Sequence, residues 1–397
     1  ALPKPDASLL QKRYVAPVGE KAQQVAAIWA EVLGVPQVGL EDHFFALGGH
    51  SLLATRVVSR VRQALAIDVA LKSLFEQPVL GAFVQALGEK GPDVARITLA
   101  DREQPLLLSY AQERQWFLWQ LEPDSAAYHI PAALRLEGTL DRVALQRAFD
   151  TLVQRHETLR TVFFADTHQT VQRVIAQAAP IIDYQVLGST EPADLQALVE
   201  DAIAQPFDLQ AGPLLRIKLL QLGEREPVLG LVQHHIVSDA WSMQVMVDEL
   251  VSLYAGYSQG LEPTLADLPI QYADYAQWQR SWMEAGEKDR QLAYWRARLG
   301  DVQPVLELPL DRPRPAMQGY QGARLDLVLQ PSVVEGLRAL AQREGATLFM
   351  VLLASFQSLL YRYTGQSDIR IGVPIANRNR LETEQLIGFF VNTQVLK

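Results

Sequence analysis

Residues 231–243 read LVQHHIVSDAWSM: adjacent histidines, His234 and His235, close an apolar run, and Asp239 follows four residues after the second. Two imidazoles and a carboxylate at this spacing could bind a metal, form part of a hydrolytic triad, or act through one imidazole without a nucleophile. Neighbours on a strand point to opposite faces, so the two histidines are not expected to share one substrate. Asp239 falls where the strand pattern gives way to a helical one, a good N-cap position. A zinc site needs a third protein ligand, and His43, His50, His129, His156 and His168 show no ligand spacing with the pair. A triad needs an activated nucleophile, and the GxSxG elbow is missing. On residue types alone, a buried structural pair stands beside a single working imidazole.

A second constellation is Gly48-Gly49-His50-Ser51-Leu52, which puts a serine at the start of an apolar-periodic helix. Free amide N–H groups and the positive end of a helix dipole favour an anion such as a phosphoryl group there. The two glycines leave the backbone open to close approach by another protein. The plainer alternative is an N-cap serine.

These residues need elements to hold them. Residues 1–19 carry three prolines and no periodicity, and read as a linker. KAQQVAAIWAEVLG places Val25, Ile28, Trp29, Val32 and Leu33 on one helical stripe stopped by Gly34. A helix from Ser51 and two short ones, at 71–75 and 79–87, complete a four-helix unit over 20–90. A mixed-charge linker over 91–104 follows, and from Leu106 the pattern is α/β. Helices are expected at 111–121, 141–155, 239–254, 273–299 and 332–345, with a longer buried helix over 346–365. Strands are expected in AALRLEG, TVFFA, VQRVIA, PVLGLVQHHIV, RLDLVL and DIRIGVPIA.

The 397 residues carry a net charge of −9 with interspersed signs, and no basic cluster suits nucleic acid as a partner. Cysteine is absent, which excludes disulfides, thiolate metal sites and a cysteine nucleophile. No apolar run approaches the roughly 20 residues of a membrane span, and no signal peptide opens the chain, so a cytoplasmic, monomeric protein is expected.

DHFFALGGHSLLATRVVSRVR resembles the core of a peptidyl carrier protein from a nonribosomal peptide synthetase. The resemblance implies that Ser51 carries a 4′-phosphopantetheine arm, attached by a phosphopantetheinyl transferase. Ala1-Leu2-Pro3 resembles the end of an adenylation domain, implying such a domain upstream. HHIVSDA resembles the HHxxxDG signature of condensation domains and chloramphenicol acetyltransferase-like acyltransferases. SYAQERQWFL (109–118), RHETLRTVF (155–163), YADYAQW (272–278) and IGFFVNTQ (387–394) resemble further motifs of that family, in its order. The implied fold is an all-α carrier followed by two α/β lobes around a tunnel: 105–270 as the first lobe and 271–397 as part of the second.

In that family the second histidine is the functional one, so the resemblance assigns catalysis to His235 and support to His234. It makes Asp239 structural, held by an arginine: Arg378 first, Arg155 second. The implied reaction joins the amine on a downstream acceptor carrier to the thioester held by this chain's carrier. His235 would accept the ammonium proton, orient the amine or stabilise developing charge. LGGHSL resembles carriers that pass substrate straight to a condensation domain, SYAQERQWFL and HHIVSDAWS resemble the subtype that takes an L-configured donor, and the retained histidines exclude the heterocyclising subtype.

Two departures stand out. Ala240 replaces the motif's glycine, either narrowing the acceptor side or merely opening a helix. The chain also stops at Lys397 where the family continues, so a truncated didomain without a closed tunnel is expected. The competing functions are a non-catalytic carrier-docking platform and a carrier-independent acyltransferase.

Overall fold

The computed structural model describes residues 14–65, 67, 69–88, 96–166, 169–176, 180–187, 192–221, 227–316, 319–320 and 322–397. The expectations for residues 1–13, for 91–95 of the second linker and for His168 lie outside them.

The N-terminal unit has four helices: α1 (Glu20–Leu33), α2 (Ser51–Leu65), α3 (Leu71–Glu76) and α4 (Leu80–Ala86). The α1 stripe buries Val25 and Trp29 completely, and Trp29 packs edge-on against Phe44 at 5.1 Å and beside Phe83 at 5.8 Å. This aromatic centre, closed by Val57, Leu74 and Leu80, gives a small domain one continuous core.

The α/β part begins with β1 (Leu106–Leu107), α5 (Tyr110–Leu121), β2 (His129–Arg135), α6 (Arg142–Arg155), β3 (Thr161–Ala165) and β4 (Thr170–Val174). It continues through β5 (Ile182–Val186), α7 (Pro192–Ala204), β6 (Leu215–Gln221), β7 (Pro227–His234) and α8 (Ala240–Ser258). One sheet has the order β2-β7-β6-β5, with β5 parallel to β6 and the other pairs antiparallel. In its register His129 lies opposite His234. Helices α6 and α8 cover this sheet through Phe149, Leu152, Met246, Leu250 and Leu253 against Ile217, Leu229 and Leu231. A smaller sheet, β1-β4-β3, stands apart from it.

The remainder holds α9 (Tyr272–Trp282), α10 (Lys288–Leu299), α11 (Pro331–Arg343), α12 (Leu348–Thr364), β8 (Ile371–Ile375) and β9 (Asn392–Leu396). Three expectations fail here. The single Trp-rich helix is interrupted over Met283–Glu287, because Gly286 sits at φ 110°, outside helical space. RLDLVL forms no strand: 325–329 lies open to solvent, with Leu325 92% and Val328 90% exposed, and no described strand pairs with it. Helix α12 forms but is not buried: it sinks only Val351 and Leu360, while Phe349, Met350, Leu352 and Phe356 face solvent. A fourth departure concerns the histidine pair, since β7 ends at His234 and His235 opens a short 3₁₀ turn over His235–Val237. The sequence pattern also passed over β5, β6 and α7. Among the described residues no single helix is long and apolar enough to cross a membrane.

Candidate functional site

At the end of β7 the two imidazoles part company. His234 is buried beside His129 and Phe207, at ring distances of 6.0 and 6.2 Å. Its Nδ1 accepts from the Ile236 N–H at 3.1 Å, so the ring carries its hydrogen on Nε2. Burial, reinforced by His129 and His235, pushes its pKa down to about 3 and keeps it neutral. His235 adopts the opposite tautomer. Its Nδ1 lies 2.8 Å from the Ser238 carbonyl, which can only accept, so Nδ1 donates and Nε2 keeps a lone pair. The ring is half-buried and pinned edge-on by Phe389 at 4.7 Å, and the His235 N–H donates to the Tyr128 carbonyl at 2.8 Å.

Asp239 caps α8, accepting from the Ser242 N–H and Oγ at 2.8 Å each. The same carboxylate takes the Arg378 Nη2 at 3.1 Å and, through Oδ2, the Phe390 N–H at 3.1 Å. Arg378 is itself buried. It donates further to Ser242 Oγ at 2.7 Å, to the Leu386 carbonyl at 2.8 Å and to the Thr383 carbonyl, and its guanidinium lies 4.0 Å from the Phe390 ring centroid. Burial lowers its proton affinity while Asp239 opposes the shift. Asn377, at φ 54°, makes the turn after β8 that aims Arg378 inward; asparagine tolerates this region better than most residues. Arg155, the second candidate, is engaged elsewhere: it donates to Glu249 at 3.1 Å, a carboxylate shared with His156.

Several residues of this site were not singled out in the sequence. Tyr272 is buried between Ser109 and Phe389: its hydroxyl donates to the Phe389 carbonyl and lies 2.7 Å from Ser109 Oγ. Ser109 in turn caps α5 in a capping box with Gln112. Gly388 packs flat on the Tyr272 ring, where a Cβ would come within 2.0 Å of ring carbon. All of these fall inside the motif segments 109–118, 272–278 and 387–394, which signal kinship and say nothing of contacts.

Ser51 is the first residue of the fifteen-residue α2. Before it, Gly48 sits at φ 94° with open space around it, and a Cβ on Gly49 would strike Phe44 at 2.5 Å. The double glycine therefore serves an internal turn and close packing on Phe44, and only Gly48 keeps the open approach expected of both. A helix start behind an open turn fits a phosphoryl group, so the residues present fit a phosphopantetheine arm. Among the described residues no three histidine, aspartate or glutamate side chains gather as a metal site.

The comparisons with known proteins agree with this architecture. Residues 102–397 match the condensation domain family, and residues 23–87 match the phosphopantetheine attachment site family. The chain belongs to the condensation-domain family, the amide-bond-forming acyltransferases of nonribosomal peptide synthesis, and it joins to that domain a carrier domain for covalent 4′-phosphopantetheine. A linear gramicidin synthase polypeptide from Brevibacillus parabrevis is 46% identical across 100% of the chain, and malpibaldin synthetase from Mortierella alpina is 45% identical across 100%. The chain spans only 5% and 7% of their lengths. Among solved structures, the X-domain from teicoplanin biosynthesis superposes with a TM-score of 0.70 at 29% identity, covering 76% of this chain and 67% of that one. A four-domain nonribosomal peptide synthetase, holo-AB3403, bound to AMP and glycine, gives a TM-score of 0.67 at 28% identity over 77% of this chain and 23% of that one.

Proposed function

We propose that this chain forms a peptide bond between a donor held on Ser51 and the amine of an aminoacyl group on a downstream carrier, with His235 as the catalytic residue. The observation that carries this reading is the pair of opposite tautomers: of the two motif histidines, His235 is the one whose Nε2 keeps its lone pair, on a partly exposed ring. Phosphopantetheine, when bound, supplies a thioester carbonyl already activated for attack. Nε2 of His235 accepts a hydrogen from the incoming amine and orients its lone pair. An α-amino group titrates near about 8, so much of the work is positioning. Asp239 does not serve as a triad acid, because both its oxygens bind Ser242, Arg378 and Phe390. Its part is to fix the turn that carries His235. An upstream adenylation domain and a phosphopantetheinyl transferase complete the proposed partners.

Two measurements test this. Treatment with coenzyme A and a phosphopantetheinyl transferase is expected to add one arm by intact mass, lost in Ser51→Ala. With the donor loaded and an aminoacyl carrier supplied, His235→Ala is expected to slow product formation by about 10²- to 10⁴-fold. Equal product from both proteins would refute the catalytic assignment. It would favour a docking platform, a reading supported by the structural likeness at TM-score 0.69 to an X-domain solved in complex with OxyB.

A further inference from the structure

The segment between Arg378 and Phe390 meets the carrier domain on its outer side. Glu384, 5% exposed at its side chain, lies 3.5 Å from the Nε of Arg56, five residues along α2 from Ser51. That distance exceeds an ordinary N–H···O bond, and Arg56 Nε and Glu384 Oε1 are buried without hydrogen-bond partners. Burial raises the Glu384 carboxyl above its ordinary range, while Arg56 and Arg60 pull it back. Six residues further along α2, Arg62 of the carrier pushes down the proton affinity of Arg380, on top of the larger effect of burial. The interface therefore sets a loosely bonded Arg56–Glu384 ion pair, with Arg60 also attracting the carboxylate, beside Arg380, which pairs with Glu382 at 4.0 Å. On its inner side the same loop is firmly held: Trp241 Nε1 donates to the Glu384 carbonyl at 2.9 Å, and Arg378 donates to the Thr383 and Leu386 carbonyls.

We propose that loop 381–386 is a seat for α2 of this chain's own carrier domain, in which Glu384 recognises Arg56 and the contact opens and closes while the loop stays in place. Loose pairing outside and full bonding inside are what such a seat requires. A carrier must leave to be loaded, and a partly desolvated charge pair without good hydrogen bonds adds selectivity more than affinity. The seat shares Arg378 with the Asp239 brace, so carrier docking and the His235 turn rest on one side chain.

The absence of cysteine makes the test direct, since Lys72→Cys on the carrier and Glu284→Cys on the condensation domain give two unique spin-label sites. Distance distributions of the unmodified chain are expected to show a docked population that falls about tenfold in Arg56→Glu and in Glu384→Arg. The double charge swap is expected to restore it. Glu384→Gln, which keeps the side chain's shape, is expected to lower the population in the same direction should the reversals fail to fold. A docked population unchanged in Glu384→Gln and in the single reversals overturns the proposal. So does a double swap that folds and fails to recover docking. Loss of the docked distance on dilution with unlabelled chain also overturns it, because the seat would then receive another copy's carrier. The measurement needs neither an arm on Ser51 nor turnover at His235, so it stands or falls separately from the proposed reaction.

Discussion

Asp239–Arg378 and Arg56–Glu384 lie on opposite sides of one loop, six positions apart in their loop-side members, and they treat charge in opposite ways. Both members of the inner pair are buried, and their charges are shared among Ser242, Phe390 and two carbonyls. The outer pair approaches only to 3.5 Å and keeps Arg56 one-third exposed. Buried charges are tolerated where every direction is answered, and such a network holds one conformation. A pair left half-answered is suited to separation. The difference assigns permanence to the elements around His235 and reversibility to the carrier.

The strongest way to break this comparison is to remove one cation from each side. Arg378→Met leaves Asp239 buried and unpaired, and is expected to cost about 3–5 kcal/mol of unfolding free energy in a denaturant titration. Arg56→Met is expected to cost less than about 1 kcal/mol in the same titration. Equal costs would show that both pairs are structural and would remove the distinction.

How much of this was legible beforehand follows from the range of each contact. Ser51 and the His234–His235–Asp239 cluster stood out because short motifs place their residue types within a few positions of a helix start, but the choice of His235 over His234 came only through kinship. The start of α8 was legible for the same local reason, since Asp239 reads as its cap, and the starts expected for α5 and α6 fall within one residue of those observed. Arg378 could be named only through kinship, since it meets Asp239 across 139 positions. Glu384 gave no local signal at all, because its meaning lies in a helix from another domain. The apolar alternation of RLDLVL was a true strand signal with no partner strand among the described residues, and periodicity cannot report whether a partner is present. Likewise α12 has the composition of a buried helix, and only the packing shows its apolar side to be open.

A smaller effect sharpens the rule from the other side, where a group near the brace avoids charge altogether. Unfolded, His234 takes up a proton near its ordinary value of 6.5; folded, it does so only near about 3. Between those values the unfolded chain binds more protons, so stability is expected to fall as pH drops through this window. The slope from this one residue reaches about 1.4 kcal/mol per pH unit. His129, also shifted down by burial, adds in the same direction. His234→Gln is expected to flatten the pH dependence of the unfolding free energy between about pH 6 and pH 4, whatever its absolute stability. An unchanged slope would mean that His234 is protonated in the folded chain, and the opposite-tautomer argument for His235 would lose its contrast.

The smallest expected effect concerns Ala240. It is the first residue of α8, immediately after the Asp239 cap, and it is exposed. Alanine is the best helix former, whereas glycine in a helix loses about 0.5–1 kcal/mol, and less at the first turn. Asp239, Ser242 and Trp241 all engage the loop side of the brace, and none of those bonds uses the residue-240 side chain. Ala240→Gly is therefore expected to lower stability by at most about 0.5 kcal/mol and to leave product formation unchanged. A gain in rate would place the methyl group in the path of the incoming amine. The brace would then have a second function, shaping the acceptor side, which its hydrogen bonds alone do not require.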